Sequence, residues 1–539
     1  MRLAFAIVSV IALLTLLPRA ARLGLAGDYV DPVSRVAAQD EALYANSSIH
    51  MAREGGWLTP MFMGRYALYK PPLLYWLSGA AAWMGGVTTL ALRLPITLLA
   101  ALAAGLLFLW AAELGGWPAG ALALGLLVSN HLWHVLSGLA MTDGLLAAFL
   151  IAALYALFCD PWLASRAGLW GFAGPVAASI LTKGVAGILP LAVLGLYWMA
   201  APRRYRPRLA RVAAASALAM ALAAPWFVYQ LAVHGKWFRT EHVNVEILGY
   251  GAGAPPQTSA ENPAAFYGMR LALTDPMLLA AALVALPGFI AALRKRTPGA
   301  ALLVCWLAVT ALVVLVWQYR NIAYLLPMVP ALALVAAVYG PVVHRSAPTA
   351  VLAVAVAVMA AKAATPGAPW GISFEKGTAQ PLAGALQDYC RQHRANELSV
   401  VGMDDDLYAS ALPLFHLRYA LVGAPPAASG PYGMDFTGMG IIVSGDQFNR
   451  LEQWLPEFRH RLHEWDLDST RPVASLILVS SPAELAEVVR RHPASDFLIP
   501  DRYRVVDAQH TPMRVTPDHW LLLGAESPGG FRPGRTCRM

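Results

Sequence analysis

The sequence predicts an α-helical membrane protein that crosses the bilayer about eleven times and carries a C-terminal soluble α/β domain. Of its 539 residues, 58% are hydrophobic and only 13% are charged, whereas soluble domains carry about 25% charged residues. The apolar residues cluster in stretches close to the ~20 residues that a spanning helix requires. Charge is distributed unevenly along the chain. Residues 1–364 have a net charge of +12, and residues 365–539 have a net charge of −4.

The apolar stretches define the predicted transmembrane domain, residues 1–364. They lie near 3–18, 92–112, 117–137, 143–159, 168–181, 184–200, 210–233, 271–293, 298–317, 321–340 and 347–364. No small-residue cleavage site follows the first stretch, which favours an uncleaved helix over a signal peptide. Residues 72–86 are apolar but short, and we expect them to form a helix along the membrane interface.

Basic residues predict the orientation in the membrane. Two clusters, residues 203–211 and 294–296, fall on the same side as the N-terminus, and basic loops favour the cytoplasmic side. Loop 19–91, loop 234–270 and the tail then lie outside, in the periplasm if the membrane is a bacterial inner membrane. The basic balance suits membrane lipids as partners, and aromatic and basic residues are not interleaved as in a nucleic-acid surface.

The tail, residues 365–539, is predicted to be a separate α/β domain. Its expected strands lie at 398–401, 440–443 and 474–479, and its expected helices at 447–464 and 481–491. Asp404-Asp405-Asp406 fits either a metal or nucleotide-sugar motif or a solvated turn, and the turn is the favoured interpretation. A disulfide between Cys390 and Cys537 is compatible with the sequence, but their spacing does not establish it.

Ionisable residues from several separate segments reach the outer face in this topology. They are Asp40, Glu41, Lys70, Asp143, Lys183, His242 and Arg320. A carboxylate and cations held beside a bilayer suit the transfer of a group from a lipid phosphate, with the carboxylate as base and the cations neutralising the phosphate. Each residue also has a plainer explanation, such as a helix cap for Asp143 or a lysine reaching the interface for Lys183.

Several motifs in order resemble a known enzyme family. They are Asp40-Glu41-x-x-Tyr44, Gly56-Trp57-Leu-Thr-Pro60, Lys70-Pro71-Pro72-Leu-x-Tyr75-Trp76, Arg93-Leu94-Pro95, Thr142-Asp143, Lys183-Gly184, Glu241-His242 and Tyr324-Leu-Leu-Pro327. Over about residues 1–345 the chain resembles the aminoarabinose transferase / protein O-mannosyltransferase-like glycosyltransferases, which are polytopic enzymes of the GT-C class.

The resemblance implies an inverting transfer of a sugar from undecaprenyl phosphate to an acceptor on the outer face, with lipid A favoured over other envelope glycoconjugates. From the residues alone, either Asp40 or Glu41 could be the base, and Asp143 is a further catalytic candidate. The resemblance maps the family's catalytic or acceptor-activating carboxylate to Asp40. It places the donor phosphate at Lys70 and Lys183, to which the sequence adds Arg320. Further candidates for the pocket are Tyr44, His242 and Tyr324.

Three positions depart from the family pattern. Leu43 stands where an arginine is usual, Tyr69 where a glutamate is usual, and Val245-Glu246 where an arginine follows the Glu-His pair. The missing glutamate is a proposed metal ligand, so no metal site is predicted and a divalent cation lacks support. The sugar stays open between aminoarabinose, a hexosamine and a neutral hexose.

Two other functions compete with the transferase. A transporter or flippase of a lipid-linked sugar would more often show inverted repeats and polar residues near the bilayer midplane. The sequence has no such repeat, and its polar residues gather at one face. A non-catalytic assembly protein that presents its outer domain would leave the pattern of lysines and aspartates unexplained.

Overall fold

The computed structural model describes residues 2–21, 40–62, 65–249 and 262–340, together with six strands between residues 398 and 533. Up to residue 340 the chain is almost entirely helical. Its α-helices are α1 Arg2–Ala20, α2 Asp40–Glu54, α3 Leu73–Gly85, α4 Thr89–Val128, α5 His131–Ser137, α6 Thr142–Cys159, α7 Arg166–Lys183, α8 Leu189–Ala200, α9 Leu209–Phe238, α10 Pro263–Thr274, α11 Pro276–Arg294, α12 Pro298–Val316 and α13 Val329–Tyr339.

Short helices of other types join some of these elements. Three are 3₁₀ helices, at Gly184–Ile188, Arg203–Tyr205 and Ile322–Met328. The fourth is a π-helix at Arg239–Gly249 that continues α9 beyond its end. Such tighter or wider turns are used in short pieces, and π-helical turns are frequent at functional sites.

Eight helical stretches among the described residues are long and apolar enough to cross a membrane. Two of them, Thr89–Val128 and Arg166–Ala200, contain 40 and 35 residues, and 40 helical residues would measure about 60 Å, twice a bilayer core. Each is broken by a glycine with positive φ, Gly116 in the first and Gly184 in the second. Dividing them there gives ten apolar helical segments, which overlap the first ten predicted stretches in position.

The predicted multispanning helical fold is therefore confirmed, while the eleventh predicted span, residues 347–364, lies outside the described residues. Helix α1 packs on α4, α6 packs on α7, and α13 packs on both α4 and α11. The shared core contains large buried aromatic residues, among them Trp110, Trp133 and Trp306. Trp110 stacks on Trp306 with ring centroids 5.9 Å apart.

The segment between α1 and α4 contains more structure than the sequence predicted. Helix α2 is followed by a two-stranded antiparallel hairpin, β1 Met61–Phe62 and β2 Arg65–Tyr66, and then by α3. The predicted short helix at 72–86 is confirmed as α3, whereas α2 was not predicted. Helices α2 and α3 pack on each other, which fixes this segment against the bundle.

The described part of the tail is a single six-stranded sheet. Its strands are β3 Leu398–Val401, β4 Ile441–Ile442, β5 Leu476–Val479, β6 Asp496–Pro500, β7 Trp520–Ala525 and β8 Phe531–Pro533, in the order β4-β3-β5-β6-β7-β8. The first four strands in that order run parallel, and β7 and β8 are antiparallel to their neighbours.

The three predicted strands coincide with β3, β4 and β5, and β6 to β8 are additional. Parallel strands need long crossover connections. The helices expected at 447–464 and 481–491, Asp404-Asp405-Asp406, Cys390 and Cys537 lie outside the described residues. That residues 365–539 form a soluble domain of their own remains a proposal.

Candidate active site at one end of the helix bundle

An ion pair joins the start of α6 to the end of α7. Asp143 is the second residue of α6 and Lys183 is the last residue of α7, and Lys183 Nζ lies 2.5 Å from Asp143 Oδ1. The lysine side chain is 12% exposed and the aspartate 6%. Gly184, with φ of 54°, reverses the chain directly after Lys183. The glycine that breaks the apolar run thus presents the lysine at the end of its helix.

A second ion pair joins the segment after the hairpin to the π-helix. Lys70 Nζ donates to Glu246 Oε2, and the two side chains are 15% and 13% exposed. The pair connects residues that are 176 positions apart in the chain. Because Pro71 and Pro72 follow Lys70 and cannot donate backbone hydrogen bonds, the lysine sits at a rigid bend before α3.

Asp40, the first residue of α2, lies within electrostatic range of both ion pairs. Burial raises the pKa of its carboxyl to about 6, against the lowering effect of Lys70 and Lys183, while Asp143 and Glu246 add to the rise. The site therefore combines three carboxylates with two ammonium groups. A carboxylate with a raised pKa is a stronger base than an ordinary aspartate.

Glu41 follows Asp40 in the chain but faces away from this cluster. Its side chain is fully buried, and its two oxygens accept hydrogen bonds from Arg93 Nε and Nη2 at 2.6 and 2.7 Å. Glu41 Oε1 also accepts the backbone N–H of Ala140 at 2.8 Å, and Arg93 donates to the carbonyl of Arg19. Glu41 thus ties α2 to α1, to α4 and to the segment before α6, and both of its oxygens are occupied.

His242 joins the π-helix to the two lysine segments. Its Nδ1 lies 3.2 Å from the carbonyl oxygen of Tyr69, and its ring stacks on Phe238 with centroids 5.0 Å apart. A side chain at Gly184 would place its Cβ 3.0 Å from His242 Cε1. Burial lowers the pKa of His242, and Lys70 lowers it further, although Glu246 and the carbonyl of Tyr69 oppose this. We infer a neutral imidazole that donates Nδ1–H to Tyr69.

The remaining candidates occupy different positions. The ring of Tyr324 lies under Lys183, with Nζ 5.1 Å from the ring centroid, so Tyr324 belongs to the site. Tyr44 packs edge-on against Tyr75 in the core of the α2–α3 segment. Arg320 lies on the connection after α12, where its charge acts on Tyr267.

Glu246 pairs with a candidate site residue but was not among the candidates selected from the sequence. The sequence analysis noted Glu246 only as part of Val245-Glu246, a departure from the pattern that the chain resembles. Tyr69, at the position of the usual glutamate, is buried and offers its carbonyl to His242. Among the described residues, no three His, Cys, Asp or Glu side chains converge in a way that could hold a metal ion.

Parts of the chain are similar to known proteins. Residues 9–236 match the family described as dolichyl-phosphate-mannose-protein mannosyltransferase. The chain is 28% identical over 322 residues to undecaprenyl phosphate-alpha-4-amino-4-deoxy-L-arabinose arabinosyl transferase of Pectobacterium carotovorum, covering 56% of this chain and 54% of that one. It is 27% identical over 354 residues to the transferase of the same name from Erwinia tasmaniensis, covering 62% of each.

A solved structure shares the fold. The crystal structure of ArnT from Cupriavidus metallidurans bound to undecaprenyl phosphate superposes with a TM-score of 0.66 at 18% identity, and 93% of each chain is covered. By sequence, this chain spans only about half the length of the curated relatives that it matches. The region that matches the family model contains Asp40, Lys70, Asp143 and Lys183, so the similarity includes the segments that form the site.

Proposed function

We propose that this protein is an inverting glycosyltransferase of a bacterial inner membrane. It moves a sugar from an undecaprenyl-phosphate carrier to an acceptor on the periplasmic side, with lipid A as the favoured acceptor. The observation that carries the proposal is the convergence of Asp40, Lys70, Asp143 and Lys183, from four separate segments, at one end of the helix bundle. The names of the curated relatives support the donor and the sugar class.

The two lysines suit a lipid-linked phosphate. During transfer the bond between the sugar C1 and the phosphate oxygen breaks, and its electron pair leaves with the phosphate. Lys70 and Lys183 would neutralise that added negative charge. Each lysine pairs with a carboxylate in the structure, which supports a site that favours an oxygen anion at its ammonium group. Arg320 is a further cation on the same end of the bundle, and we assign it a supporting role near the donor.

Asp40 would act as the base. As a hydroxyl group of the acceptor attacks the sugar C1, the Asp40 carboxylate takes up its proton, so that a new C1–O bond forms while the bond to phosphate breaks. Asp143 holds Lys183 in place. Since both oxygens of Glu41 are engaged by Arg93, we assign Glu41 to positioning Asp40 rather than to proton transfer.

The orientation follows the distribution of charge. The arginine-rich segment 203–211 and Arg294-Lys295-Arg296 lie at the opposite end of α8, α9 and α11 from Asp40 and Lys183. Basic loops favour the cytoplasm. We therefore propose a cytoplasmic N-terminus, a site that opens toward the periplasm, and a tail on the periplasmic side.

The pKa of Asp40 predicts the pH dependence of transfer. Because this pKa is raised to about 6, the base is ionised above that pH and protonated below it. In a detergent-solubilised assay, kcat/KM should be level above about pH 7 and fall about tenfold for each pH unit below 6. Recovery of activity after return to pH 7.5 controls for unfolding. A decline that begins only near pH 4 would contradict a buried Asp40 base.

Mass spectrometry of lipid A tests the proposed acceptor. Matched cells with the gene intact, deleted or restored should differ by one sugar-sized mass on lipid A, present only when the gene is present. The mass increment would also identify the sugar as a pentosamine, a hexosamine or a neutral hexose. Unchanged lipid A in the deletion strain would reject lipid A as the acceptor.

A further inference from the structure

Glu246 binds the same lysine that the proposed function assigns to the donor phosphate. Lys70 donates to Glu246 Oε2, and both side chains are mostly withdrawn from solvent, at 15% and 13% exposure. A carboxylate and a phosphate both present oxygen anions to a lysine ammonium group. The two anions would therefore compete for Lys70.

The charges around the site would strengthen the effect of this competition on donor binding. Asp40, Asp143 and Glu246 act together on the site, opposed by Lys70 and Lys183. An anionic donor that enters this cluster meets an excess of one negative charge. If the phosphate takes the place of the Glu246 carboxylate at Lys70, the repulsion between the two anions is reduced because the carboxylate moves away.

The position of Glu246 allows it to move. It lies in the π-helix Arg239–Gly249, whereas Lys70 lies at the double-proline bend before α3. His242 anchors the π-helix by its ring nitrogen near Tyr69 and its stacking on Phe238, one turn before Glu246. The backbone can thus stay in place while the glutamate side chain changes rotamer.

We propose that Glu246 is a built-in competitor for the donor phosphate: its carboxylate occupies Lys70 when the site is empty, and the phosphate of the lipid-linked donor displaces it. Glu246 thereby sets the affinity of the site for the polyprenyl-phosphate carrier. This inference rests on the proposed function, because it requires Lys70 to bind the phosphate. Glu246 is also one of the positions at which the sequence departs from the pattern that it resembles.

Binding of undecaprenyl phosphate to the purified full-length protein in detergent tests the inference directly, without transfer activity. Glu246→Gln keeps the size of the side chain and removes its charge. We expect it to bind undecaprenyl phosphate about 2- to 5-fold more tightly than wild type, which is the range for removing a competing ion pair of ordinary strength. The KM for the donor should fall by a similar factor, and kcat should change less.

Two further variants make the test specific. In Lys70→Gln, binding should weaken, and adding Glu246→Gln to it should bring a clearly smaller gain than in wild type. Only the general repulsion by Glu246 is then removed, because there is no lysine left to compete for. Glu113→Gln is the matched control. Its carboxylate accepts a hydrogen bond from Tyr155 within the membrane-spanning helices, away from Asp40, and its loss should leave binding unchanged. Thermal unfolding without ligand verifies that each variant is folded.

The outcomes separate the inference from the proposed function. Suppose that Lys70→Gln weakens binding. If Glu246→Gln then fails to strengthen binding, or strengthens it by the same factor in the Lys70→Gln background, the inference is wrong and the proposed function stands. If Lys70→Gln leaves binding unchanged, both the phosphate-binding role of Lys70 and the inference are overturned.

Discussion

Replacing Asp40 by asparagine should lower the rate of sugar transfer by about 10²- to 10⁴-fold, the usual contribution of a positioned general base. Asparagine has the shape of aspartate but cannot accept the proton of the acceptor. The folded protein should not lose stability at neutral pH. Burial raises the pKa of Asp40 to about 6, which means that the ionised carboxylate is disfavoured in the folded state relative to the unfolded chain.

The measurement is single-turnover transfer from a purified undecaprenyl-phosphate sugar, together with the thermal unfolding temperature of the same preparation. Glu113→Gln, whose carboxylate is distant from the site, serves as the matched control for a lost carboxylate. Transfer at the wild-type rate by a folded Asp40→Asn protein would remove Asp40 from the mechanism. A loss of both activity and folding would instead point to a structural role for this carboxylate.

Replacing Arg93 by methionine should have the largest effect on stability. The change leaves the Glu41 carboxylate fully buried without the guanidinium group that now holds both of its oxygens. Breaking a buried ion pair in this way costs about 3–5 kcal/mol. Since Glu41 and Arg93 attach α2 to the bundle, and Asp40 begins α2, transfer activity should fall with stability. Thermal unfolding in detergent, followed by tryptophan fluorescence, measures the first effect.

A compensating variant distinguishes a buried charge from a simple loss of packing. Glu41→Gln combined with Arg93→Met removes both charges, and the glutamine oxygen can still accept the N–H of Ala140. Because replacement of an entire buried pair is often nearly neutral, the double variant should recover most of the unfolding temperature. Equal instability of the single and double variants would argue against an uncompensated charge as the cause.

The spanning helices could be predicted because their signal is local. A stretch of apolar residues long enough for the bilayer has few alternatives to a helix, since its backbone groups must be paired within the segment. The breaks were partly predictable in the same way. The Lys183-Gly184 break was predicted from the polar interruption, and Gly116 falls between two predicted spans.

Helix α2 could not be predicted by this approach because polar residues are buried among its apolar ones, such as Leu43 and Ile49. Asn46, Ser47 and Ser48 are all buried, and Ser48 donates back to the carbonyl of Tyr44 in its own helix. Since polar and apolar residues of this helix are buried alike, its apolar residues do not mark a single buried face. Its burial depends on neighbours that are distant in sequence, of which Arg93 is the clearest example.

The different surroundings of the adjacent acids Asp40 and Glu41 could not be predicted from a sequence pattern either. Successive residues of a helix point about 100° apart, so Asp40 and Glu41 face different surroundings although they are neighbours in the chain. Asp40 lies within electrostatic range of the two lysines, whereas Glu41 forms an ion pair with Arg93. The partner of Lys70 could not be predicted either, because it depends on how the chain folds back over 176 positions.

The Asp143–Lys183 pair is also supported by the backbone on which it sits. A helix carries partial positive charge at its N-terminus and partial negative charge at its C-terminus. Asp143 lies in the first turn of α6 and Lys183 in the last turn of α7, so each charge faces the favourable end of its helix dipole. In the proposed function Lys183 would turn toward an incoming phosphate, and the dipole of α6 would continue to stabilise Asp143 after the lysine leaves it. The backbone dipoles of α6 and α7 thus stabilise Asp143 and Lys183 independently of any other side chain.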